Sequence, residues 1–94
     1  MEKYYIVRAN GAGVLFGKIK SRAGDEVELE DVRKLWNWHG ACAVEQLALE
    51  GVKKPRECQF TVTVPKMIIF NALQIIECST DAIANIKAVP EWKS

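Results

Sequence analysis

The sequence predicts an α+β fold: a mostly antiparallel β-sheet with one central helix and a C-terminal helix. Two observations support this prediction. Apolar and polar residues alternate in several short runs that turn residues separate, which is typical of half-buried strands. Two other segments, Ala41 to Leu49 and Thr80 to Val89, have the apolar spacing and the end signals of helices.

The first two strands are predicted from their β-forming residues and from the glycines between them. Tyr4 to Arg8 is β-branched and aromatic, and Val14 to Lys20 resumes an extended pattern after Asn10, Gly11 and Gly13. This arrangement predicts a β-hairpin with a glycine-rich turn. Bare glycine backbone can also bring its N–H groups close to an anion, but the lysine and following helix of a phosphate-binding loop are missing here.

The next strand carries most of the chemically interesting residues. Val27 and Leu29 alternate with glutamates, and the alternation slips at Glu30 and Asp31. From Val32 onward a second extended piece is predicted because aromatic residues are dense and Asn37, His39 and Gly40 are poor helix formers. Such a strand places Lys34, Trp36 and Trp38 on one face and Arg33, Leu35 and Asn37 on the other.

The central helix is predicted to end at Gly51, after which Lys53, Lys54 and Arg56 give a basic loop. Phe60 to Val64 reads as a further strand that Pro65 ends at an edge or a turn.

Met67 to Glu77 is the most apolar stretch and is predicted to form one central, buried strand. Ser79 or Thr80 is expected to cap the last helix, and Pro90 is expected to end it.

Length and charge restrict the class of protein. The 94 residues carry a formal net charge of +1 and predict a single compact domain over residues 1–94. Charge this close to zero argues against a general nucleic-acid coat or a membrane-surface protein. No apolar run approaches the roughly 20 residues that span a bilayer, and the opening MEKYYIVRAN lacks a signal-peptide pattern, so we expect a cytoplasmic protein. A small chain with much apolar and aromatic content also predicts a homodimer or a larger homo-oligomer.

Catalytic and metal-binding patterns are missing from the sequence. His39 is the only histidine and has no recognisable nucleophile or carboxylate partner in the pattern. Cys42, Cys58 and Cys78 are odd in number and widely spaced, which predicts reduced thiols rather than a disulfide framework or a zinc site. We therefore expect no enzyme activity, no metal and no cofactor.

Cations and indoles instead predict a binding site. Arginine and lysine hold phosphate through charge-assisted hydrogen bonds, and tryptophan stacks on flat rings and on cations. An equally open interpretation of the tryptophans is core packing, with one of them inside and the other at the rim. The predicted ligand-binding residues are Arg8, Lys18, Arg22, Arg33, Lys34, Trp36 and Trp38.

The motif Arg33-Lys34-Leu35-Trp36-Asn37-Trp38-His39-Gly40-Ala41 resembles a motif of a family of small proteins that phages and prophages encode. The family pattern often has a second arginine where this chain has Lys34, and lysine is the weaker bidentate partner for phosphate. The resemblance implies a viral protein that works in the cytosol of a host cell.

Small phage proteins of this kind include sponges that sequester the cyclic nucleotide messengers of bacterial immunity, and the predicted site suits that role. We therefore expect a non-catalytic protein that binds a small nucleotide. The alternative is a structural or interaction module that binds a host or phage protein without a small-molecule ligand. Binding to single-stranded nucleic acid is a weaker third hypothesis.

Overall fold

The computed structural model describes residues 2–92. Six strands and two helices follow one another along these residues. The strands are β1 (Tyr5–Ala9), β2 (Gly13–Ala23), β3 (Glu26–Asn37), β4 (Gln59–Phe60), β5 (Val64–Ile69) and β6 (Ala72–Glu77). The helices are α1 (Val44–Glu50) and α2 (Thr80–Ala88), and one turn of 3-10 helix spans Pro55–Glu57 before β4.

All strand pairs in the sheet are antiparallel. Strands β1, β2 and β3 form a meander, and β6 pairs with the other side of β1. The far side of β3 pairs with two strands in succession, because β5 lies beside its first half and β4 beside its last residues. The order is therefore β4, β3, β2, β1, β6, with β5 next to β3. The α+β prediction is confirmed, as is the first hairpin.

A β-bulge lies where the sequence pattern slips. Asp31 has a φ of 52°, and the register between β2 and β3 shifts around Gly17. A Cβ atom on Gly17 would come within 3.1 Å of the Glu30 carbonyl oxygen, a tight contact that favours glycine beside the bulge. Beyond the bulge the side chains change faces, and Lys34 and Trp36 lie on the opposite side of β3 from Leu35.

The sheet carries apolar side chains on both faces. The helices cover one face and form with it the helix-side core, which includes Tyr4, Ile6, Phe16, Leu35, Leu47, Phe60 and Ile86. On the other face the sheet bends back on itself. The Ala72 N–H donates to the Asp25 carbonyl oxygen at 2.9 Å, which connects the turn between β5 and β6 with the turn between β2 and β3. The sheet-side core inside this bend consists of Val7, Ala9, Leu15, Val27, Leu29, Val32 and Ile69.

The prediction of one central strand over Met67 to Glu77 is wrong. The segment is split by a turn at Phe70 and Asn71, where Asn71 adopts a φ of 59°. Its halves, β5 and β6, both lie at edges of the sheet. A continuous apolar run indicates burial but gives no sign of a turn within it. Asn71 is the residue of this segment that most readily adopts a positive φ, and it was the one local signal of the turn.

The strand predicted from Phe60 to Val64 also differs from the structure. β4 ends at Phe60, and β5 begins at Val64 and includes Pro65 at the sheet edge. Proline is tolerated there because its missing N–H leaves no ladder bond unmade.

Both predicted helices are present with shifted ends. α1 begins three residues later than expected and stops at Gly51, whose φ of 74° suits a glycine C-cap. α2 spans Thr80–Ala88, and Ser79 is its N-cap. Neither helix is long and apolar enough to cross a membrane, and none other occurs in residues 2–92.

Candidate functional site

Two stacked indoles stand on the surface at the β3–β4 edge of the sheet. The ring centroids of Trp36 and Trp92 are 6.2 Å apart and the planes differ by 24°. Both rings are largely in solvent, with exposed fractions of 58% for Trp36 and 48% for Trp92. Backbone pairing holds Trp92 in place, because its N–H donates to the Phe60 carbonyl oxygen at 2.8 Å.

Lys34 adds a positive charge beside these rings. Its Nζ lies 5.1 Å from the ring centroid of Trp36, within the range of a cation–π contact. The backbone N–H of Lys34 donates to Thr61 Oγ1 at 2.8 Å, and its stem passes Gly13 so closely that a Cβ there would lie 3.3 Å from Lys34 Cε. No carboxylate of residues 2–92 forms an ion pair with this ammonium group. We call Lys34, Trp36 and Trp92 the tryptophan platform.

The platform suits a flat aromatic ring that carries a negative charge. Indole faces stack on bases of any sequence, and an unpaired ammonium donates charge-assisted hydrogen bonds to phosphate. Ring atoms in contact lie about 3.5 Å apart, so a ring sandwiched between two indoles needs about 7 Å between them. Since Trp36 and Trp92 are 6.2 Å apart, a ligand stacks on an outer face, or enters once Trp92 moves by roughly 1 Å.

Arg33, which the sequence predicts as a phosphate ligand, lies in the core instead. Its exposed fraction is 3%, and its guanidinium lies 5.5 Å from the Phe60 ring centroid. Burial lowers the pKa of Arg33, and the charge of Glu91 counteracts part of that change. The guanidinium donates to four carbonyl oxygens: Thr61 (2.9 Å), Ile86 (2.8 Å), Pro90 (3.3 Å) and Phe60 (3.5 Å). Arg33 therefore joins β4, the end of α2 and the following segment, and its donors are not directed at a ligand.

Lys18 and Arg22 also have partners within the chain. Lys18 Nζ lies 2.9 Å from Glu2 Oε2 and 2.8 Å from Asp31 Oδ2, and these contacts raise the pKa of Lys18 and lower that of Glu2. Arg22 is at the far tip of the β2–β3 hairpin, where its Nε donates to the Gly24 carbonyl oxygen at 3.1 Å. Neither residue belongs to the platform.

Arg8 and Trp38 are likewise separate from it. Arg8 is exposed on β1 between Val14 of β2 and Gln74 of β6. Trp38 is half-buried and packs against the helix-side core. Of the seven predicted residues, the structure thus brings together Lys34 and Trp36 only.

Trp92 was missing from the predicted site. It follows Pro90, which ends α2, and the chain then runs back beside β4, as the parallel bridge between Phe60 and Glu91 shows. The only signal in the sequence was a third tryptophan just after a helix stop. Its partner Trp36 is 56 positions away (92 − 36) in a different element, and no local pattern reports such a pairing.

One cavity in the described residues is too small for a nucleotide. It has a volume of about 60 Å³, whereas pockets that enclose drug-sized ligands measure about 300 Å³ or more. Its lining residues are Tyr4, Phe16, Asp31, Arg33, Thr63 and Lys87. The open platform is therefore the better candidate site within one chain.

Metal-binding groups are not assembled in residues 2–92. No three residues among histidine, cysteine, aspartate and glutamate are grouped in a way that holds a metal ion there. The backbone N–H of His39 donates to Cys58 Sγ at 3.3 Å, so this contact supports the loop after β3. Burial raises the pKa of Cys78 to about 12, which keeps its thiol neutral and unreactive at ordinary pH.

The chain belongs to the family described as a domain of unknown function, DUF6948, which matches residues 2–86. The match includes Lys34 and Trp36 but stops before Trp92. No curated protein matches the chain. No solved structure matches it either.

Proposed function

We propose that this DUF6948 member is a non-catalytic binding protein that sequesters a small nucleotide, of the cyclic messenger kind, on the tryptophan platform. The observation that carries the proposal is the pair of exposed stacked indoles, Trp36 and Trp92, with the ammonium group of Lys34 beside them. This group forms no ion pair with a carboxylate of residues 2–92. The phage resemblance of the sequence supports an anti-defence role in the cytosol of a host cell.

Exposed tryptophans at this position require a reason beyond folding. Packing into a core normally buries such rings, and Trp38 two positions later does pack against the helix-side core. Two large aromatic faces held in solvent by backbone pairing offer a preorganised stacking surface, which lowers the ordering cost of binding. The ammonium group of Lys34 supplies the complementary charge for a phosphate.

The expected affinity follows from the parts of the site. A base that contacts both indoles gains about 2–6 kcal/mol from stacking, and one charge-assisted hydrogen bond from Lys34 adds about 1.5–3 kcal/mol. A micromolar dissociation constant needs about 8 kcal/mol and a nanomolar one about 12 kcal/mol. One open platform therefore supports micromolar binding at best, and sequestration then requires the protein at a comparable concentration.

The test is isothermal titration of the full chain with cyclic mononucleotides, cyclic dinucleotides and a linear mononucleotide, with tryptophan fluorescence as the second readout. We expect heat and fluorescence quenching with at least one nucleotide. Trp36→Ala, Trp92→Ala and Lys34→Ala should each weaken that binding tenfold or more, on the order of 1.4 kcal/mol. The circular dichroism of the three variants should stay unchanged, because Trp36 and Trp92 are exposed and Lys34 is only half-buried.

Matched controls lie elsewhere on the surface. Lys53→Ala removes an exposed lysine from another loop, and Phe70→Ala removes an exposed aromatic ring from the β5–β6 turn. Both variants should keep the affinity of the unmodified chain. The proposal fails if no nucleotide gives heat or quenching at millimolar concentration, or if the platform variants bind as well as the controls.

A second candidate function is a protein-interaction module, and the same exposed tryptophans favour it. Trp36 and Trp92 are of the residue type that dominates binding hot spots between proteins, and the site is open rather than enclosed. This alternative predicts no heat with any nucleotide. If no nucleotide produces heat in the titrations, the protein-interaction module is the better account of the site.

A further inference from the structure

The outer edge of β6 has backbone groups without partners. The Cys78 N–H donates to the Tyr4 carbonyl oxygen of the segment leading into β1 at 2.8 Å. Because successive residues of a strand point their backbone groups to opposite sides, Ile75 and Glu77 direct their N–H and C=O groups away from β1. The next group on that side, the Ser79 N–H, donates to the Ala48 carbonyl oxygen of α1. Within residues 2–92 the edge is thus covered at Ser79 and, at its other end, at Ala72, whose N–H donates to the Asp25 carbonyl oxygen. It is open between them, at Ile75 and Glu77.

The outer edges of β5 and β4 have protecting features that β6 lacks. β5 carries Pro65 and Lys66, a residue without an N–H and a charge, which are two common devices against edge-to-edge pairing. The outer side of β4 is occupied by the segment at Glu91, whose neighbour Trp92 donates to the Phe60 carbonyl oxygen. The sequence of β6, ALQIIE, contains no proline, lysine or arginine.

Apolar side chains accompany this open edge. Leu73, at the bulge in β6, has an exposed fraction of 65%, and Phe70 in the preceding turn has one of 61%. Ile75 is half-buried at the rim of the sheet-side core. An edge that is both unpaired and apolar is the kind of surface on which another strand adds to a sheet.

We infer that β6 pairs antiparallel with β6 of a second copy of this chain, about a two-fold axis at Ile75. In this register Ile75 faces its own counterpart, and Leu73 of each copy faces Glu77 of the other. No like charges oppose each other, because Glu77 is the only charged residue of the strand. A two-fold axis needs such a self-complementary surface, and the pairing continues the sheet across both copies.

This interface is distinct from the tryptophan platform. Strands β3, β2 and β1 separate the β4 edge, where Trp36 and Trp92 lie, from β6. With strands about 4.8 Å apart, neither site contributes residues to the other. Nucleotide binding and pairing through β6 can therefore fail separately, and each has its own variants.

The test is sedimentation equilibrium of the full chain over a micromolar concentration series, combined with amide hydrogen exchange. We expect a reversible dimer. The N–H groups of Ile75 and Glu77 should exchange more slowly as the concentration rises. Leu73→Glu should raise the dissociation constant of the dimer at least tenfold, because in both symmetric contacts the new carboxylate opposes Glu77 of the other copy. Ile75→Pro should also raise the dissociation constant of the dimer, because it removes an N–H group that points away from β1 and would bond to the second copy. It removes no hydrogen bond to β1.

The matched control is Leu73→Lys, which places a charge of the opposite sign at the same position, facing Glu77 of the other copy. It should leave the dimer intact. The inference is overturned by a monomer at all concentrations with unprotected Ile75 and Glu77 amides, the result expected if the edge receives a strand of another protein. It is also overturned by a dimer that Leu73→Lys disrupts and Leu73→Glu does not. Unchanged circular dichroism of Leu73→Glu separates loss of pairing from unfolding.

Discussion

Arg33 contributes to this protein through the carbonyl groups that it satisfies. Its guanidinium holds the carbonyl oxygens of Thr61, Ile86 and Pro90 together, although these residues belong to three different parts of the chain. Buried acceptors without a donor cost about 1–3 kcal/mol each. We expect Arg33→Ala to lower the free energy of unfolding by about 3–5 kcal/mol in urea denaturation, since several acceptors lose their donor at once.

Two variants serve as controls for this prediction. Arg33→Lys should recover only part of the loss, because one ammonium group cannot match a planar fork of five N–H donors. Lys34→Ala, which removes the neighbouring cation from the opposite face, should change stability by less than about 0.5 kcal/mol. Equal stability of Arg33→Ala and the unmodified chain would show that the carbonyl groups find water instead.

The two adjacent cations also show what single residues reveal in a sequence. Residue type alone predicted that Arg33 and Lys34 bind an anion beside the tryptophans. For Lys34 and Trp36 this remains a prediction. Residue type did not show that Arg33 is buried, because its acceptors lie between 27 and 57 positions away in the chain. The tryptophans of the motif differ in their surroundings, because Trp38 packs against the helix-side core and Trp36 is exposed.

At the scale of elements, Ser79 links α2 to α1. Its Oγ accepts from the Ala82 N–H at 3.0 Å, and its hydroxyl donates to the Leu49 carbonyl oxygen at 2.6 Å. Losing an N-cap costs about 1 kcal/mol and losing a further hydrogen bond a similar amount, so Ser79→Ala should lower the free energy of unfolding by about 2 kcal/mol. Thr80→Ala at the exposed next position is the control. If both variants are equally stable in urea, the cap has no energetic role.

Elements with strong local signals were predictable, and elements that depend on distant partners were not. Glycines located the first hairpin and the end of α1. The slip of alternation at Glu30 and Asp31 coincides with the bulge, although the sequence predicted two extended pieces there and not one bulged strand. The turn at Phe70 and Asn71 was not predicted, because apolar residues continue on both sides of it. Only pairing of β5 with β3 and of β6 with β1 makes that turn necessary.

At the scale of the whole molecule, the fold class was predictable and the strand order was not. Alternation and helix spacing are local properties, and together they predicted an α+β protein. The position of β6 beside β1 joins residues about 70 positions apart, for example Tyr5 and Glu77 (77 − 5 = 72). Trp36 and Trp92 of the platform are 56 positions apart (92 − 36), so no local pattern contains both. For this reason Lys34 and Trp36 were predicted without Trp92.

The two cores share the same strands, and this predicts that the molecule unfolds as one unit. Adjacent residues of β1 serve different cores, with Ile6 in the helix-side core and Val7 in the sheet-side core. Loss of either core therefore removes support from the strands of the other. We expect Leu47→Ala in α1 and Leu29→Ala in β3 each to lower the free energy of unfolding by about 2–5 kcal/mol, while Leu49→Ala at an exposed position changes it little.

The decisive measurement follows both cores in one sample. In a chain with Trp36→Phe and Trp92→Phe, the fluorescence of Trp38 reports on the helix-side core, and far-ultraviolet circular dichroism reports on the sheet. Coincident transitions in urea are the test of two-state unfolding. Leu29→Ala should shift both transitions by the same amount, although Leu29 belongs to the core on the other face. A shift of the dichroism alone would mean that the helix-side core persists without the sheet-side core, contrary to the expectation from their shared strands.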